Sequence, residues 1–222
     1  MDLQLNDRLA LVSGSTAGIG FAIANGLARE GARVIVNGRT DDRVKSAIER
    51  IRSHNAGAKL EGIAVDLGSA AGADEVVRRF PEVDVLVNNL GIFEPKPFEQ
   101  ISDPEWFRFF EVNVMSGVRL SRAYLPLMKK RNWGRIVFIS SESGIQIPAE
   151  MIHYGVTKTA QIALARGIAE RRLDAVSMPG PQFHGFITEF LQAGNDRVEV
   201  PVLQYVIGDG SEMHGSVILQ FS

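Results

Sequence analysis

The stretch LALVSGSTAGIGFAIANGLAREG, residues 9–31, has the pattern of a strand, a glycine-rich turn and a helix. Its first five residues are a short, mostly apolar run, which predicts a buried strand. Ile19, Ile23 and Leu27 then recur at helical spacing, and Gly31 suits the end of a helix. A glycine-rich turn lets the backbone approach a phosphate, which the N-terminus of the following helix attracts. The stretch therefore predicts a phosphate-binding βα unit.

The glycines of this turn, at positions 14, 18 and 20, are spaced G-x-x-x-G-x-G. Such spacing alone is weak evidence for phosphate binding, because a glycine-rich turn can follow a strand without binding any ligand. Its place at the first βα junction favours a cofactor phosphate. We expect this cofactor to be contacted by Gly14, Ser15, Thr16, Gly18, Ile19 and Gly20.

Strands and helices continue to alternate to about residue 140. Apolar runs predict strands at 32–38, 59–67, 83–89 and 135–140, with helical patterns at 41–54, 72–80 and 102–130 between them. The last of these helices starts with a capping box, Ser102 with Glu105. Alternating strands and helices indicate an α/β fold with a doubly wound, Rossmann-like parallel sheet. We expect residues 1–222 to form a single domain.

The pattern weakens after about residue 170. A short sixth strand is predicted within 171–181 and a seventh within 215–222, whereas residues 182–211 show no clear period. We therefore expect a shortened or atypical C-terminal part over about residues 170–222.

Composition excludes several classes of protein. The chain has 222 residues, a formal net charge of −2, no cysteine and four scattered histidines. Neither nucleic-acid binding nor an anionic membrane surface is indicated, since there is no basic excess. The histidines lack metal-ligand spacing, and thiolate chemistry and disulfides are excluded. The N-terminus lacks signal-peptide features and no apolar run could span a bilayer, so we expect a cytoplasmic protein.

The tip of the second strand bears on the choice of cofactor. It reads VNGRT at residues 36–40. Folds that select NAD usually place an acidic residue there for the ribose 2′-hydroxyl, whereas an arginine suits the 2′-phosphate of NADP. Asp41 and Asp42 fit the first turn of the next helix better. Although Arg39 could be a solvated loop residue, we expect NADP(H) to be preferred, with NAD(H) possible.

Polar residues also follow the other predicted strands. Asp66 lies at the C-terminal end of the third, Asn88–Gly91 at that of the fourth, and Ser140 and Ser141 at that of the fifth. Such residues are ordinary turn formers when taken singly. Ligands of open α/β sheets bind at this edge, so together they predict a site there.

These residues and a later motif form an ordered set: residues 13–20, 88–91, Asn113, Ser141 and YGVTK at 154–158. YxxxK alone arises often by chance. The set as a whole resembles the short-chain dehydrogenase/reductase family over about residues 5–180, most of all its 3-oxoacyl-carrier-protein reductase branch. Ser141 lies 13 residues before Tyr154, which is the family's usual interval.

The resemblance implies a catalytic role for four residues. Tyr154 would be the general acid in carbonyl reduction and the base in alcohol oxidation. Free tyrosine has a pKa of about 10, which the ammonium of Lys158, one helical turn away, would lower. Lys158 would also hold the nicotinamide ribose. Ser141 would hydrogen-bond the substrate oxygen, and Asn113 would help to organise a proton-relay water.

The resemblance also implies cofactor contacts from Asp66, Leu67, Asn89, Gly91, Pro179 and Gly180, besides the turn, Arg39, Tyr154 and Lys158. Two departures stand out. Leu90 replaces the alanine of the family's NNAG motif, and the Pro179-Gly180 pair arrives earlier after Lys158 than is usual. The chain is also shorter than the usual family member.

Two other functions are left open by the sequence. One is an NAD-dependent alcohol or sugar dehydrogenase, and the other is a catalytically impaired, cofactor-binding regulatory protein. Individually, Tyr154 could be a core tyrosine, Lys158 a solvated lysine and Asn113 a local capping residue. By family analogy we expect a homo-oligomer, a dimer or tetramer, formed through the helices at 104–130 and about 153–172.

The substrate is expected to be a small carbonyl or alcohol compound. Phe93, Glu94, Pro95 and the segments 145–152 and 181–195 would line its pocket, with His184 nearby. His153 adjoins Tyr154 in sequence but points in another direction on a helix, so we expect it to pack or to lie at the rim.

Overall fold

The computed structural model describes residues 5–170 and four strand segments at 191–193, 196–198, 202–207 and 215–217. Five of its strands pair in parallel: β1 Leu9–Val12, β2 Arg33–Gly38, β3 Lys59–Ala64, β4 Val85–Asn88 and β5 Gly134–Ile139. Their order across the sheet is β3-β2-β1-β4-β5. This order is typical of doubly wound folds. The predicted fold class is confirmed.

Helices cover both faces of this sheet. They are α1 Gly18–Arg29, α2 Asp41–His54, α3 Ala70–Arg79, α4 Asp103–Phe110, α5 Ser116–Lys130 and α6 Ile152–Glu170. Successive strand residues enter opposite cores: Val12 shares a cluster with Ile51 of α2, and Leu11 shares the other with Leu120 of α5. Each such buried side chain contributes about 1.5–3 kcal/mol. Because helices cover both faces of the sheet, we expect a ligand to bind at the edge formed by the C-terminal ends of the strands.

The strand ends that build this edge are level with one another. Val12 of β1 pairs with Val36 of β2 and with Val87 of β4, while Asn88 of β4 pairs with Phe138 of β5. Because the strands are parallel, the loops after all four strands open on the same edge.

The helix predicted over 102–130 begins as expected but is interrupted. Glu105 accepts hydrogen bonds from the N–H and hydroxyl of Ser102, at 2.9 and 2.7 Å, at the start of α4. A π-helical turn, Glu111–Met115, then separates α4 from α5. A π turn shifts the hydrogen-bond register by one residue and often marks a functional site. Asn113 lies in the middle of this turn.

The strands near the C-terminus differ from the prediction. β8 (Val202–Ile207) pairs antiparallel with β5, and β9 (Gly215–Val217) pairs antiparallel with β8, so two antiparallel strands extend the parallel sheet. β6 (Leu191–Ala193) and β7 (Asp196–Val198) form a separate antiparallel pair. The stretch 182–211 therefore contains strands that its periodicity did not predict. The predicted seventh strand is present over Gly215–Val217, and the sixth, at 171–181, lies outside the described residues.

Among the described residues, none of the helices combines the length and apolar character needed to cross a membrane.

Candidate active site

The glycine turn between β1 and α1 is held against the end of β4. Gly14 and Gly18 have φ values of +64° and +55°, which residues with a side chain rarely adopt. The side-chain amide of Asn89 donates to the carbonyls of Ser13 and Gly14, at 2.9 and 3.2 Å. A methyl group on Gly20 would lie 2.4 Å from Nδ2 of Asn89. The turn can take this compact form because these positions are glycine.

Asn37, at the end of β2, holds the other side of the turn. Its Oδ1 accepts from the N–H of Gly14 at 3.0 Å, and its amide donates to the carbonyls of Ile63 and Val65. The hydroxyl of Ser15 accepts the N–H of Asn37, and the N–H of Ser15 donates to the Asn37 carbonyl, both at 2.9 Å. In this structure Ser15 thus supports the turn through both polar groups, although the sequence predicted a cofactor contact there.

The loop beyond β2 carries the predicted specificity residue. A methyl group on Gly38 would lie 2.5 Å from Cγ2 of Thr16, so Thr16 lies beside the tip of β2. Arg39 follows this tip and is exposed. Both are therefore at the edge of the sheet where a ribose could be bound.

The remaining predicted cofactor contacts differ in exposure. Asp66 is exposed, and its Oδ1 accepts from the N–H of Gly68 at 2.9 Å. Leu67 is 1% exposed and belongs to a core cluster, so its side chain packs inside the protein. Pro179 and Gly180, like His184, lie outside the described residues.

Asn113 ties three parts of the site together. Its side chain accepts from the N–H of Ile92 at 2.7 Å and donates to the Ile92 carbonyl at 2.9 Å and the Thr157 hydroxyl at 3.0 Å. A methyl group on Gly91 would lie 3.5 Å from Nζ of Lys158 and 3.6 Å from Oδ1 of Asn113. The loop after β4, the π turn and α6 therefore converge beside Gly91.

Tyr154 and Ser141 face each other at the start of α6. Burial raises the pKa of Tyr154, and the neighbouring hydroxyl of Ser141 opposes this rise. Ser141 also accepts from the N–H of Ser143 at 3.2 Å, which fixes its side chain. A carbonyl oxygen placed here could contact two hydroxyl groups.

Lys158 lies on the same face of α6 as Tyr154, with Nζ 5.6 Å from the centre of the tyrosine ring. The residue is only 4% exposed. Its ammonium donates to the carbonyl of Ile139 at 2.8 Å and to Oε1 of Gln161 at 3.1 Å. Burial lowers the pKa of Lys158 to about 8, so the side chain is mostly charged at neutral pH.

His153 packs into the interior beside Tyr154. It is 1% exposed, and its ring lies 3.9 Å from that of Phe109 and 5.9 Å from that of Trp106, between ring centres. Burial lowers the pKa of His153, an effect that the carboxylate of Glu105 opposes. Its position joins α6 to α4 and is consistent with the predicted packing role.

One exposed apolar side chain contacts Tyr154, and two more lie in the loop before α6. Phe93, 71% exposed, makes an edge-on contact with the Tyr154 ring at 6.2 Å between ring centres. Ile145 and Ile147, in the loop before α6, are 58% and 46% exposed. A methyl group on Gly155 would lie 2.6 Å from Cγ2 of Ile147, which places Ile147 against the helix. We call Phe93, Ile145 and Ile147 the apolar rim.

Comparison with known proteins identifies the family. The sequence model of the short chain dehydrogenase family matches residues 8–175. The chain belongs to the short-chain dehydrogenase/reductase family. The uncharacterized oxidoreductase YvaG of Bacillus subtilis is 52% identical over 170 residues, which are 77% of this chain and 64% of YvaG. The match therefore spans less than two thirds of that relative.

Two further members of the family are similar over different shares of the chain. The 3-oxoacyl-[acyl-carrier-protein] reductase FabG of Salmonella typhimurium is 31% identical over 228 aligned positions, covering 97% of this chain and 90% of FabG. The structure of L-sorbose reductase from Gluconobacter frateurii, complexed with NADPH and L-sorbose, superposes with a TM-score of 0.73 at 31% identity. The superposition covers 78% of this chain and 67% of the reductase.

Three residues of this short-chain dehydrogenase have contacts that the sequence did not reveal. Leu90 donates its N–H to the Ser13 hydroxyl at 3.0 Å, and a methyl group on Gly14 would lie 3.3 Å from Leu90 Cδ1, so the departure from NNAG packs on the glycine turn. Asn37 accepts from the N–H of Gly14, and Gln161 accepts from the ammonium of Lys158. No motif or spacing in the sequence marks either residue.

Proposed function

We propose that the chain is an oxidoreductase that interconverts a carbonyl group and a secondary alcohol with NADP(H), with Tyr154 as general acid or base. The observation that carries this proposal is the placement of Tyr154 beside both Ser141 and the buried ammonium of Lys158. A protein that only bound a nucleotide would not need a proton-transfer group next to a buried cation.

The residues present fit a dinucleotide. Nothing lies within 4 Å of a methyl group placed on Gly18, so the turn is open there, and it leads into the N-terminus of α1, where backbone N–H groups attract a phosphate. Gly91 leaves similar room beside Lys158. When bound, the nicotinamide supplies or accepts the hydride, and the protein is left to orient the reactants and move the proton.

In carbonyl reduction the hydroxyl of Tyr154 donates its proton to the developing alkoxide, while Ser141 hydrogen-bonds the same oxygen. The raised pKa of Tyr154 keeps this proton in place at neutral pH. In alcohol oxidation the phenolate accepts the proton, and the positive charge of Lys158 favours that form. The balance of these effects suits reduction at neutral pH and oxidation at higher pH.

A preference for NADP(H) over NAD(H) is part of the proposal. It is supported by the exposed Arg39 directly after β2, by Thr16 beside the same tip, and by the NADPH complex of the L-sorbose reductase relative. An NAD-dependent alcohol or sugar dehydrogenase is the alternative, and it would differ at this position alone.

Replacing Arg39 with alanine tests the preference. Because a hydrogen bond to a charged group is worth about 1.5–3 kcal/mol, we expect NADPH to bind roughly tenfold or more weakly. The affinity for NADH should not change. Calorimetric titration with both cofactors measures this, with Arg52→Ala at the exposed end of α2 as the matched control. An unchanged affinity for NADPH would show that Arg39 is only a solvated loop residue.

A panel of carbonyl compounds tests the activity itself. We expect the wild-type chain to consume NADPH with aliphatic or aromatic ketones and β-keto esters faster than with ketoses, because Phe93 of the apolar rim contacts Tyr154. Each CH₂ group buried on the rim should add about 0.8 kcal/mol, roughly fourfold in kcat/KM. The absorbance of NADPH reports turnover. Cofactor binding without turnover of any compound would favour the regulatory, non-catalytic alternative.

We also propose that the chain forms a homo-oligomer, a dimer or tetramer, through α4, α5 and α6. Phe107 of α4 is 73% exposed and Phe110 is 36% exposed. Apolar side chains this exposed on one helix fit a surface that a second copy would cover.

A further inference from the structure

We propose that Gln161 is a positioning residue for proton transfer, because its side chain bridges the ammonium of Lys158 and the backbone carbonyl of Asn113. This inference rests on the proposed function, since it concerns the acid–base chemistry of Tyr154. It adds a residue that neither the YxxxK motif nor the family resemblance assigned.

Two hydrogen bonds place Gln161 in this bridge. Its Oε1 accepts from Nζ of Lys158 at 3.1 Å, and its Nε2 donates to the carbonyl of Asn113 at 2.5 Å. The residue is 2% exposed, so water competes little for either bond. The reversed amide would face NH₂ to an ammonium and oxygen to a carbonyl, which pairs donor with donor and acceptor with acceptor. The donor and acceptor roles of Lys158 and the Asn113 carbonyl therefore determine the orientation of the Gln161 amide.

The carbonyl of Asn113 that accepts this bond lies in the π turn. There the N–H of Ser116 donates to the carbonyl of Glu111, five residues back, so the register of a regular helix is interrupted. The Asn113 side chain is separately anchored to Ile92 and Thr157. Gln161 thus connects the side chain of Lys158 to the buried backbone at Asn113 and restricts its position.

The bridge also determines how Lys158 can act. An ammonium has three N–H donors, and two of them point to Ile139 and Gln161. The third donor would then remain for a hydroxyl group of the cofactor. Burial disfavours the charged form of Lys158, and the neutral acceptor Oε1 of Gln161 opposes that effect without introducing a negative charge. Gln161 therefore helps to keep the positive charge that stabilises the Tyr154 phenolate.

Two variants separate this role from packing. Gln161→Met keeps the length of the side chain and removes both hydrogen bonds, whereas Gln161→Glu keeps an acceptor for Lys158 and adds a charge. We expect the titration midpoint of Lys158 to be highest in Gln161→Glu, intermediate in the wild type and lowest in Gln161→Met. The midpoint in Gln161→Met should lie about one pH unit below wild type, since one hydrogen bond to a charged group is worth about one pKa unit or more. NMR of ¹³Cε-labelled lysine measures it, with the Lys158 signal assigned from its loss in Lys158→Met.

Kinetics supply the second readout. With less positive charge on Lys158, the phenolate of Tyr154 is harder to form. The pH profile of kcat for oxidation should therefore shift upward in Gln161→Met by about one unit, which lowers oxidation at pH 7 by roughly tenfold. Reduction, which uses protonated Tyr154, should fall much less. The matched control Ile162→Val, next to Gln161 on the same helix, should alter neither profile.

The outcomes are distinct. A shifted Lys158 titration, together with a larger loss of oxidation than of reduction, supports the inference. If Gln161→Met does not fold, Gln161→Glu provides the test. Unchanged titration in a folded Gln161 variant, or shifted titration with unchanged profiles, overturns the positioning role. If the wild-type chain shows no turnover, the proposed function fails instead, and the NMR titration still reports whether Gln161 contacts Lys158.

Discussion

Tyr154→Phe is expected to lower kcat for both carbonyl reduction and alcohol oxidation by about 10²–10⁴-fold, the usual contribution of general acid–base catalysis. The substitution removes one oxygen atom and keeps the ring, so the edge-on contact with Phe93 can persist. Affinity for NADPH should stay close to the wild-type value, because the glycine turn is unaffected. Initial rates in both directions and calorimetric titration with NADPH separate the two effects.

Tyr124→Phe is a matched control for this experiment. Tyr124 is 1% exposed, and its hydroxyl donates to the carbonyl of Phe80 at 2.9 Å in the core between α3 and α5. Loss of this hydrogen bond should lower the free energy of unfolding by about 1 kcal/mol and leave kcat unchanged. The same substitution thus has a catalytic effect at Tyr154 and a stability effect at Tyr124. Full activity of Tyr154→Phe would refute the acid–base role.

The pH dependence of the wild-type reaction follows from the two shifted groups. Because burial raises the pKa of Tyr154, the general acid should remain protonated through neutral pH, and reduction should decline only as the pH rises toward that pKa. Oxidation should increase over the same range. Above a pH of about 8, the pKa of Lys158, loss of its charge weakens the stabilisation of the phenolate. Oxidation should therefore rise less steeply there.

The sequence was most informative where local patterns determine structure. The β1–α1 unit, the alternation up to β5 and the parallel sheet follow from apolar periodicity and from the rule that strand–helix–strand crossovers are right-handed. The candidate site could be placed at one sheet edge for the same reason, since parallel strands end together. Gly14 and Gly18 were recognisable because glycine adopts such backbone angles far more readily than most residues.

Contacts between distant residues were not predictable in this way. Asn37 bonds to Gly14 across 23 positions and Gln161 to Asn113 across 48, and periodicity carries no such information. The apolar pattern of the helix at 102–130 also continues through the π turn, which changes only the hydrogen-bond register. The strand β8, Val202–Ile207, was missed although its β-branched and aromatic residues favour a strand, because period-2 alternation was sought instead.

Gly20→Ala is expected to weaken NADPH binding by about 10–100-fold, since overpacking a close contact costs about 1–3 kcal/mol and each 1.4 kcal/mol is a factor of ten. The added methyl group would lie 2.4 Å from Nδ2 of Asn89 and 2.5 Å from the carbonyl of Gly14. The second neighbour is backbone and cannot rotate away. The turn and the loop after β4 must therefore separate, and both are proposed to contact the cofactor.

Gly26→Ala, two turns further along α1, is the matched control. Nothing lies within 4 Å of a methyl group at that position, so the substitution only replaces glycine by a better helix former. It should raise the free energy of unfolding by about 0.5–1 kcal/mol and leave NADPH affinity unchanged. Thermal unfolding and calorimetric titration of both variants provide the comparison.

We expect Gly20→Ala and Gly26→Ala to change the free energy of unfolding in opposite directions, because the two glycines serve different purposes in one helix. Helix propensity favours alanine at both positions, so a loss of stability at Gly20 can come only from the close approach of Asn89 and the Gly14 carbonyl. If Gly20→Ala instead gained stability and bound NADPH as tightly as wild type, Asn89 would not need to hold the turn closed. A loss of affinity larger than the loss of stability would locate the effect in the bound state, as expected if the turn binds the cofactor phosphates.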